Sequence, residues 1–142
     1  MVIVDANVLL YAVNPQSRQH EAAHAWLVGA LAGNEAVGFA WTVLLAFLRL
    51  ATNPSVFAHP LSPEEAAGLV ELWLAPRAAV VVEPTARHLA VLRGLLRSSG
   101  TAGNLVADAH LAALALETGA TVVSFDRDFA RFEGLRSHVP AE

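Results

Sequence analysis

The residues of this chain best suited to chemistry are its four aspartates, Asp5, Asp108, Asp126 and Asp128; every other acidic residue is a glutamate. Aspartate used for solubility would be scattered. Here each one falls beside an expected strand end or helix start, positions that an α/β fold gathers along one rim of its sheet. Carboxylates brought together in this way repel by roughly 3 kcal/mol per pair at ~5 Å and an effective dielectric near 20, a cost that a bound cation offsets. An all-oxygen donor set suits Mg²⁺ or Mn²⁺ better than zinc. Such an ion can hold a phosphate oxygen, acidify a water and stabilise in-line displacement at phosphorus. Plainer readings exist for each aspartate alone: Asp5 as a helix cap, Asp108 as an ion-pair partner of an arginine, Asp126-Arg127-Asp128 as a polar turn. The conjunction of all four carries the metal reading.

The elements that must position these residues alternate strand with helix. Val2-Ile3-Val4 reads as a short buried strand, and Asp5-Ala6-Asn7 leads from it into a helical turn or two that Pro15 closes. A helix is expected from about Gln19 to Leu31, broken by Gly33-Asn34, then a short strand at Val37 to Phe39. Thr42 to about Ala51 reads as a buried helix that stops before Asn53-Pro54. Ser62-Pro63-Glu64-Glu65 is a helix start with a capping box, and that helix should reach about Leu74. Ala79 to Val82, between Pro76 and Pro84, reads as a second buried strand. Thr85 is expected to cap a helix reaching about Ser98. Ser99 to Gly103 reads as a flexible loop, and Asn104 as the cap of a helix from Leu105 to Thr118 that ends at the C′ glycine Gly119. Thr121 to Phe125 is the next strand. The alternation implies one α/β domain over residues 1–142, Rossmann-like, with a mostly parallel sheet flanked by helices and its ligand crevice at the carboxyl ends of the strands. Asp5 and Asp126 both follow strands at that rim, and Asp108 lies one turn inside the helix begun at Asn104.

Composition narrows the function classes. A chain of 142 residues suffices for one domain, burying roughly 70% of the surface of its unfolded form. It has no cysteine, which removes thiol catalysis, disulfide scaffolds and cysteine-ligated zinc. No segment reads as a signal peptide, and the longest apolar stretch, Ala36 to Leu48, falls short of the ~20 residues a membrane span requires, so a cytoplasmic location without membrane attachment is expected. Hydrophobic content is 55% and mean hydropathy +0.47, more apolar than so small a domain buries by itself, which points to a partner surface. The net charge of −4 decides little, since the aspartates supply much of it. Lysine is absent. That excludes response-regulator receivers and haloacid-dehalogenase-like phosphatases, which depend on a late lysine, and Walker-type nucleotide binding, which needs Gly-Lys-Ser/Thr.

Several segments together resemble a known family. They are Val2-Ile3-Val4-Asp5-Ala6-Asn7-Val8-Leu9-Leu10-Tyr11, then Phe47-Leu48-Arg49 through Thr52-Asn53-Pro54, then Asn104-Leu105-Val106-Ala107-Asp108-Ala109-His110, and Ser124-Phe125-Asp126-Arg127-Asp128-Phe129. In this order they resemble the PIN domain, and more narrowly the VapC toxins of bacterial toxin–antitoxin pairs in their actinobacterial and mycobacterial branch. The resemblance runs from Val2 to about Phe132. It implies a divalent-metal-dependent endoribonuclease that uses Mg²⁺ or Mn²⁺, acts on RNA, is restrained by a VapB-type antitoxin and forms a homodimer. It also implies Asp5, Asp108 and Asp126 as metal ligands, Asp128 as a further catalytic carboxylate, and Asn7, Arg49, Asn104 and Ser124 as supporting residues. Many members carry a glutamate three residues before the arginine of the middle motif; here that position is Ala46. The actinobacterial branch often lacks this acid. Its absence leaves one or two metal ions open, and leaves as the alternative a catalytically impaired module that binds RNA or antitoxin.

Arg127, with Arg131 nearby, is the candidate for holding RNA phosphates, whereas Arg93 and Arg97, i and i+4 on one helix, read as a solvated face. Trp26, Trp41 and Trp73 lie in apolar runs and are expected in the core or an interface rather than as base-stacking platforms. His20-Glu21-Ala22-Ala23-His24 matches the zinc-protease pattern, but Leu27 stands where a metzincin has glycine and no third ligand follows beyond a doubtful Glu35. Surface histidines on an outer helix face are the simpler account. His110, two residues from Asp108, is expected on the opposite face of its helix.

Overall fold

The computed structural model describes residues 1–99 and 105–141. In chain order they form β1 (Val2–Val4), α1 (Ala6–Ala12), α2 (His20–Ala32), β2 (Val37–Phe39), α3 (Trp41–Ala51), α4 (Pro63–Leu74), β3 (Ala79–Val81), α5 (His88–Ser99), α6 (Leu105–Thr118), β4 (Thr121–Val123), a 3₁₀ helix (Arg127–Arg131) and β5 (Ser137–His138). The five strands make one parallel sheet in the order β3-β2-β1-β4-β5. The chain moves outward from β1 to β3, then returns past β1 to build β4 and β5. Right-handed crossovers therefore place α1 to α4 on one face and α5 and α6 on the other. The packing agrees: α1 meets α2 and α3, α3 meets α4, and α5 meets α6, which in turn lies against β1 and β4. The reversal between β1 and β4 opens a crevice at their carboxyl ends, where a doubly wound sheet takes its ligands.

Short, branched apolar strands suit a sheet covered on both faces. Ile3, Val4, Val37, Phe39, Val122 and Val123 are all buried. Helix α6 is buried on every side through its middle, Leu111, Ala112, Ala113, Leu114 and Ala115, while polar residues lie towards its two ends. Between β1 and β3 the sheet leaves no room for a side chain at Gly38, where a Cβ would meet Val82 Cγ2 at 2.6 Å and Ile3 Cγ1 at 3.1 Å. Helix α6 ends at Gly119, whose φ of 70° is the left-handed conformation that glycine adopts freely. The capping box expected at Ser62 and Glu65 is present.

Four local expectations are corrected. Strand β3 is not buried: it lies at the sheet edge with Val80 and Val81 39% and 41% exposed. Helix α5 begins at His88, not next to Thr85; the Thr85 hydroxyl does accept from Arg87 N–H, but its own hydrogen goes to Glu117 and a turn intervenes. Strand β4 ends at Val123, two residues early, because the chain turns at Ser124 into the 3₁₀ helix. Strand β5, two exposed residues long, was not anticipated. The loop at Ser99 to Gly103 and the cap at Asn104 lie, apart from Ser99, outside the described residues. No helix among the described residues is long and apolar enough to cross a membrane.

Candidate active site

Two adjacent parallel strands set the site. In the β1–β4 register Val4 stands opposite Val123, so the next residues, Asp5 and Ser124, leave the sheet side by side. Asp5 caps α1: its Oδ1 accepts the Ala6 N–H at 2.8 Å. Its other oxygen, Oδ2, accepts the Ser124 hydroxyl at 2.7 Å. Ser124 is the one buried polar residue among those described, 2% exposed, and its Oγ also accepts from Asn7 Nδ2 at 3.1 Å and from Asp126 N–H at 2.9 Å. Asn7 completes the ring by accepting the Phe125 N–H through Oδ1 at 3.1 Å. A single hydroxyl thus holds Asp5, Asn7 and the backbone of Asp126 in fixed relation.

Asp126 caps the 3₁₀ helix, its Oδ1 accepting Asp128 N–H at 2.8 Å. Asp128 is exposed and meets the Arg131 guanidinium at 3.7 Å. Asp108 stands in the first turn of α6, half-buried, and makes no hydrogen bond among the described residues. Burial, then the charges of Asp5 and Asp126, push its carboxyl up to about 6; Arg131 opposes the rise and Asp128 adds to it. Asp5 is also held above the ordinary carboxylate value, by burial and by Asp126, against the lowering effect of its bonds from Ser124 and Ala6. The four aspartates therefore share one electrostatic field, and the plain capping roles of Asp5 and Asp126 coexist with it.

The donor set fits a hard divalent cation: carboxylate oxygens only, with two carboxyl groups whose ionisation is resisted by burial and by their neighbours. Among the described residues no three acidic or histidine side chains already enclose an ion. The free oxygen of Asp126 and the unbonded carboxyl of Asp108 would have to close on Asp5 around it.

Other expected residues are placed differently. Arg49 is exposed in the last turn of α3, its guanidinium makes no hydrogen bond or ion pair among the described residues, and it is not among the charges acting on Asp108. Arg127 is exposed beside the site, while Arg131 is the cation that Asp108 feels. Asn104 is outside the described residues. Arg93 and Arg97 face solvent, as expected. Trp73 is core, edge-on to Phe47 with centroids 4.8 Å apart, and Trp26 is half-buried. Trp41 is 48% exposed and lines an apolar groove with Leu48, Val70 and Leu74 between α3 and α4. His110 does turn from the crevice: its Nδ1 meets His88 Nε2 at 2.9 Å, and His88 Nδ1 meets Glu117 Oε2 at 2.6 Å. That chain was not foreseen, although His110 and Glu117 are seven residues apart on one helix and so share a face.

Comparison with known proteins places these features in a family context. The model of the PIN domain matches residues 2–135. Ribonuclease VapC37 of Mycobacterium tuberculosis is 56% identical, the match covering 99% of this chain and 97% of that protein. Ribonuclease VapC33 of the same species is 40% identical over 96% of this chain and 95% of its own. Among solved structures, VapBC2 from Rickettsia felis bound to a promoter DNA fragment superposes with a TM-score of 0.72 at 17% identity, covering 98% of each chain. Mycobacterium tuberculosis VapC20, described as a sarcin-ricin loop cleaving toxin, superposes with a TM-score of 0.67 at 20% identity over 96% of this chain and 99% of its own.

Proposed function

We infer that this chain, which belongs to the PIN domain family and within it to the VapC ribonucleases, is an endoribonuclease toxin that hydrolyses RNA phosphodiester bonds at a divalent cation held by Asp5, Asp108 and Asp126. The observation that carries the metal reading is the shared field of the aspartates: burial and the charges of Asp5 and Asp126 push the Asp108 carboxyl up to about 6 in the ion-free chain. Mg²⁺ or Mn²⁺ bound there would supply Lewis acidity, polarising the scissile phosphate and acidifying a water. The chain's own residues do the rest. Ser124 and Asn7 fix the Asp5 carboxylate and the turn that carries Asp126. Asp128, exposed beside the site and paired with Arg131, is the further carboxylate that would take a proton there. Arg127 holds the RNA backbone from the rim.

The exposed apolar side chains Trp41, Leu45, Leu72 and Leu89 support the two protein contacts this reading includes, a VapB-type antitoxin and a second copy of the chain. The absence of any membrane-spanning helix among the described residues is compatible with action on cytoplasmic RNA. Ala46 favours one rival, a binding module without turnover. Incubation of the purified chain with cellular RNA in Mg²⁺ or Mn²⁺ separates the two. Discrete fragments that vanish with EDTA and in Asp5→Asn support the nuclease. Intact RNA despite measured Mn²⁺ binding supports the module.

A further inference from the structure

The histidine pair on α2 is not absorbed by the nuclease site. His20 and His24 lie one helical turn apart, and their rings stack with centroids 5.8 Å apart and planes inclined by 28°. His20 Nδ1 sits 2.9 Å from the carbonyl oxygen of Tyr11 in the last turn of α1. A carbonyl only accepts, so Nδ1 carries the hydrogen and the neutral ring presents a bare lone pair at Nε2. This is the outer-sphere arrangement that fixes the tautomer of metal-binding histidines. His24 is exposed and makes no hydrogen bond among the described residues; it lines a mostly apolar cleft with Val13, Leu27, Leu31 and Trp73. By contrast, the other close histidine pair, His88 and His110, spends its facing nitrogens on each other.

We propose that His20 and His24 form a second metal site, distinct from the carboxylate crevice, that takes a borderline divalent transition ion such as Cu²⁺, Ni²⁺ or Zn²⁺. Imidazole nitrogens bind these ions at about 2.0–2.1 Å, and ligation requires the exposed His24 ring to turn out of the stack so that its lone pair converges with that of His20. Among the described residues no third histidine or carboxylate joins the pair, so water fills the remaining positions. The site is therefore not the protease centre that the His-Glu-x-x-His spelling suggests. Nitrogen donors rank the ions Cu²⁺ above Ni²⁺ and Zn²⁺ and well above Mn²⁺, the reverse of the hard-ion preference of the aspartates. Ligation requires neutral imidazole, so acid releases the ion.

The test uses the full, untagged chain with excess Mg²⁺ present. Titration with Cu²⁺ should show one tight equivalent, and its electron paramagnetic resonance spectrum should carry hyperfine structure from two nitrogens. His24→Gln, at an exposed position that leaves the fold intact, should weaken Cu²⁺ binding about tenfold or more and remove one nitrogen from the spectrum. Asp5→Asn should change neither. Binding by His24→Gln equal to that of the parent chain, an oxygen-only spectrum, or loss of the site in Asp5→Asn would each overturn the proposal. His20→Ala, its fold checked by circular dichroism, must match His24→Gln.

Discussion

Ser124 donates its hydroxyl to Asp5 Oδ2 at 2.7 Å across 119 positions of sequence, and Ser124 Oγ in turn accepts the Asp126 backbone N–H. One buried side chain thus couples the carboxyl ends of the two central strands. Ser124→Ala removes the donor to Asp5 and the acceptor for Asn7 and Asp126 together. The expected cost is about 1–3 kcal/mol in denaturant unfolding, with RNA cleavage falling further, by about tenfold or more, if the Asp5 carboxylate holds the proposed cation and loses its orienting partner.

The ion-free chain should lose stability as pH rises through the range set by Asp108. Its carboxyl sits at about 6 in the folded chain against an ordinary value of 3.8. The folded state therefore binds more protons than the unfolded state in that range, and the favourable contribution, full below 3.8, is lost as pH passes about 6. Asp5, shifted in the same direction, adds to the trend. Thermal unfolding in EDTA should show a melting temperature that falls between pH 4 and pH 7 from this term. Mg²⁺ should restore more at pH 7.5 than at pH 5, and Asp108→Asn should raise the EDTA melting temperature at pH 7.5. An Asp108→Asn chain no more stable than its parent there would remove both the burial cost and the like-charge repulsion from the account.

Arg127 lies exposed on the 3₁₀ helix and makes no ion pair among the described residues, whereas Arg131 is engaged by Asp128. Arg127→Ala should raise KM for RNA with little change in kcat, and should reduce the slope of log affinity against log salt by about 0.7, the share of one phosphate contact on a single strand. An unchanged slope would mean that Arg127 touches no phosphate.

Glu117 joins α6 to α5. Its side chain is shielded from solvent and accepts from Thr85 N–H at 3.0 Å, from the Thr85 hydroxyl at 2.6 Å and from His88. Burial alone would raise its carboxyl, but the Thr85 and His88 bonds outweigh it and hold the group below its ordinary value. Glu117→Ala should cost about 1–2 kcal/mol of stability while leaving cleavage per folded molecule unchanged at a temperature where both chains are folded, since none of these groups faces the crevice.

Much of this architecture is legible from local pattern. The limits of β1, β2 and α6 follow from short branched apolar runs, from the carboxylate that ends the first of them, and from Gly119 at the end of the last. What pattern misses is set by position in the sheet. Val80 and Val81 read as buried because branched apolar residues usually are, yet sheet order puts β3 at the edge. Ser137 and His138 carry no apolar signal, because β5 is an exposed edge strand held by backbone pairing to β4. The four aspartates stand out in the sequence by their scarcity, but the joint between Asp5 and Ser124 depends on parallel register between distant segments, and only the family resemblance marked Ser124. The Thr85–Glu117–His88–His110 chain lacks a local signature beyond the shared face of His110 and Glu117 on α6.

The central claim, that a cation on the aspartates acts directly on the scissile phosphate, is tested most directly by sulfur substitution. Once a cleaved RNA is in hand, a non-bridging oxygen at the cleavage site is replaced by sulfur, each diastereomer being assayed in Mg²⁺ and in Mn²⁺. Mg²⁺ binds sulfur poorly and the softer Mn²⁺ tolerates it. For one diastereomer, cleavage should fall sharply in Mg²⁺ and recover in Mn²⁺, with the recovery lost in Asp108→Asn. Equal rates in the two metals for both diastereomers would contradict direct contact between the cation and the reacting phosphate.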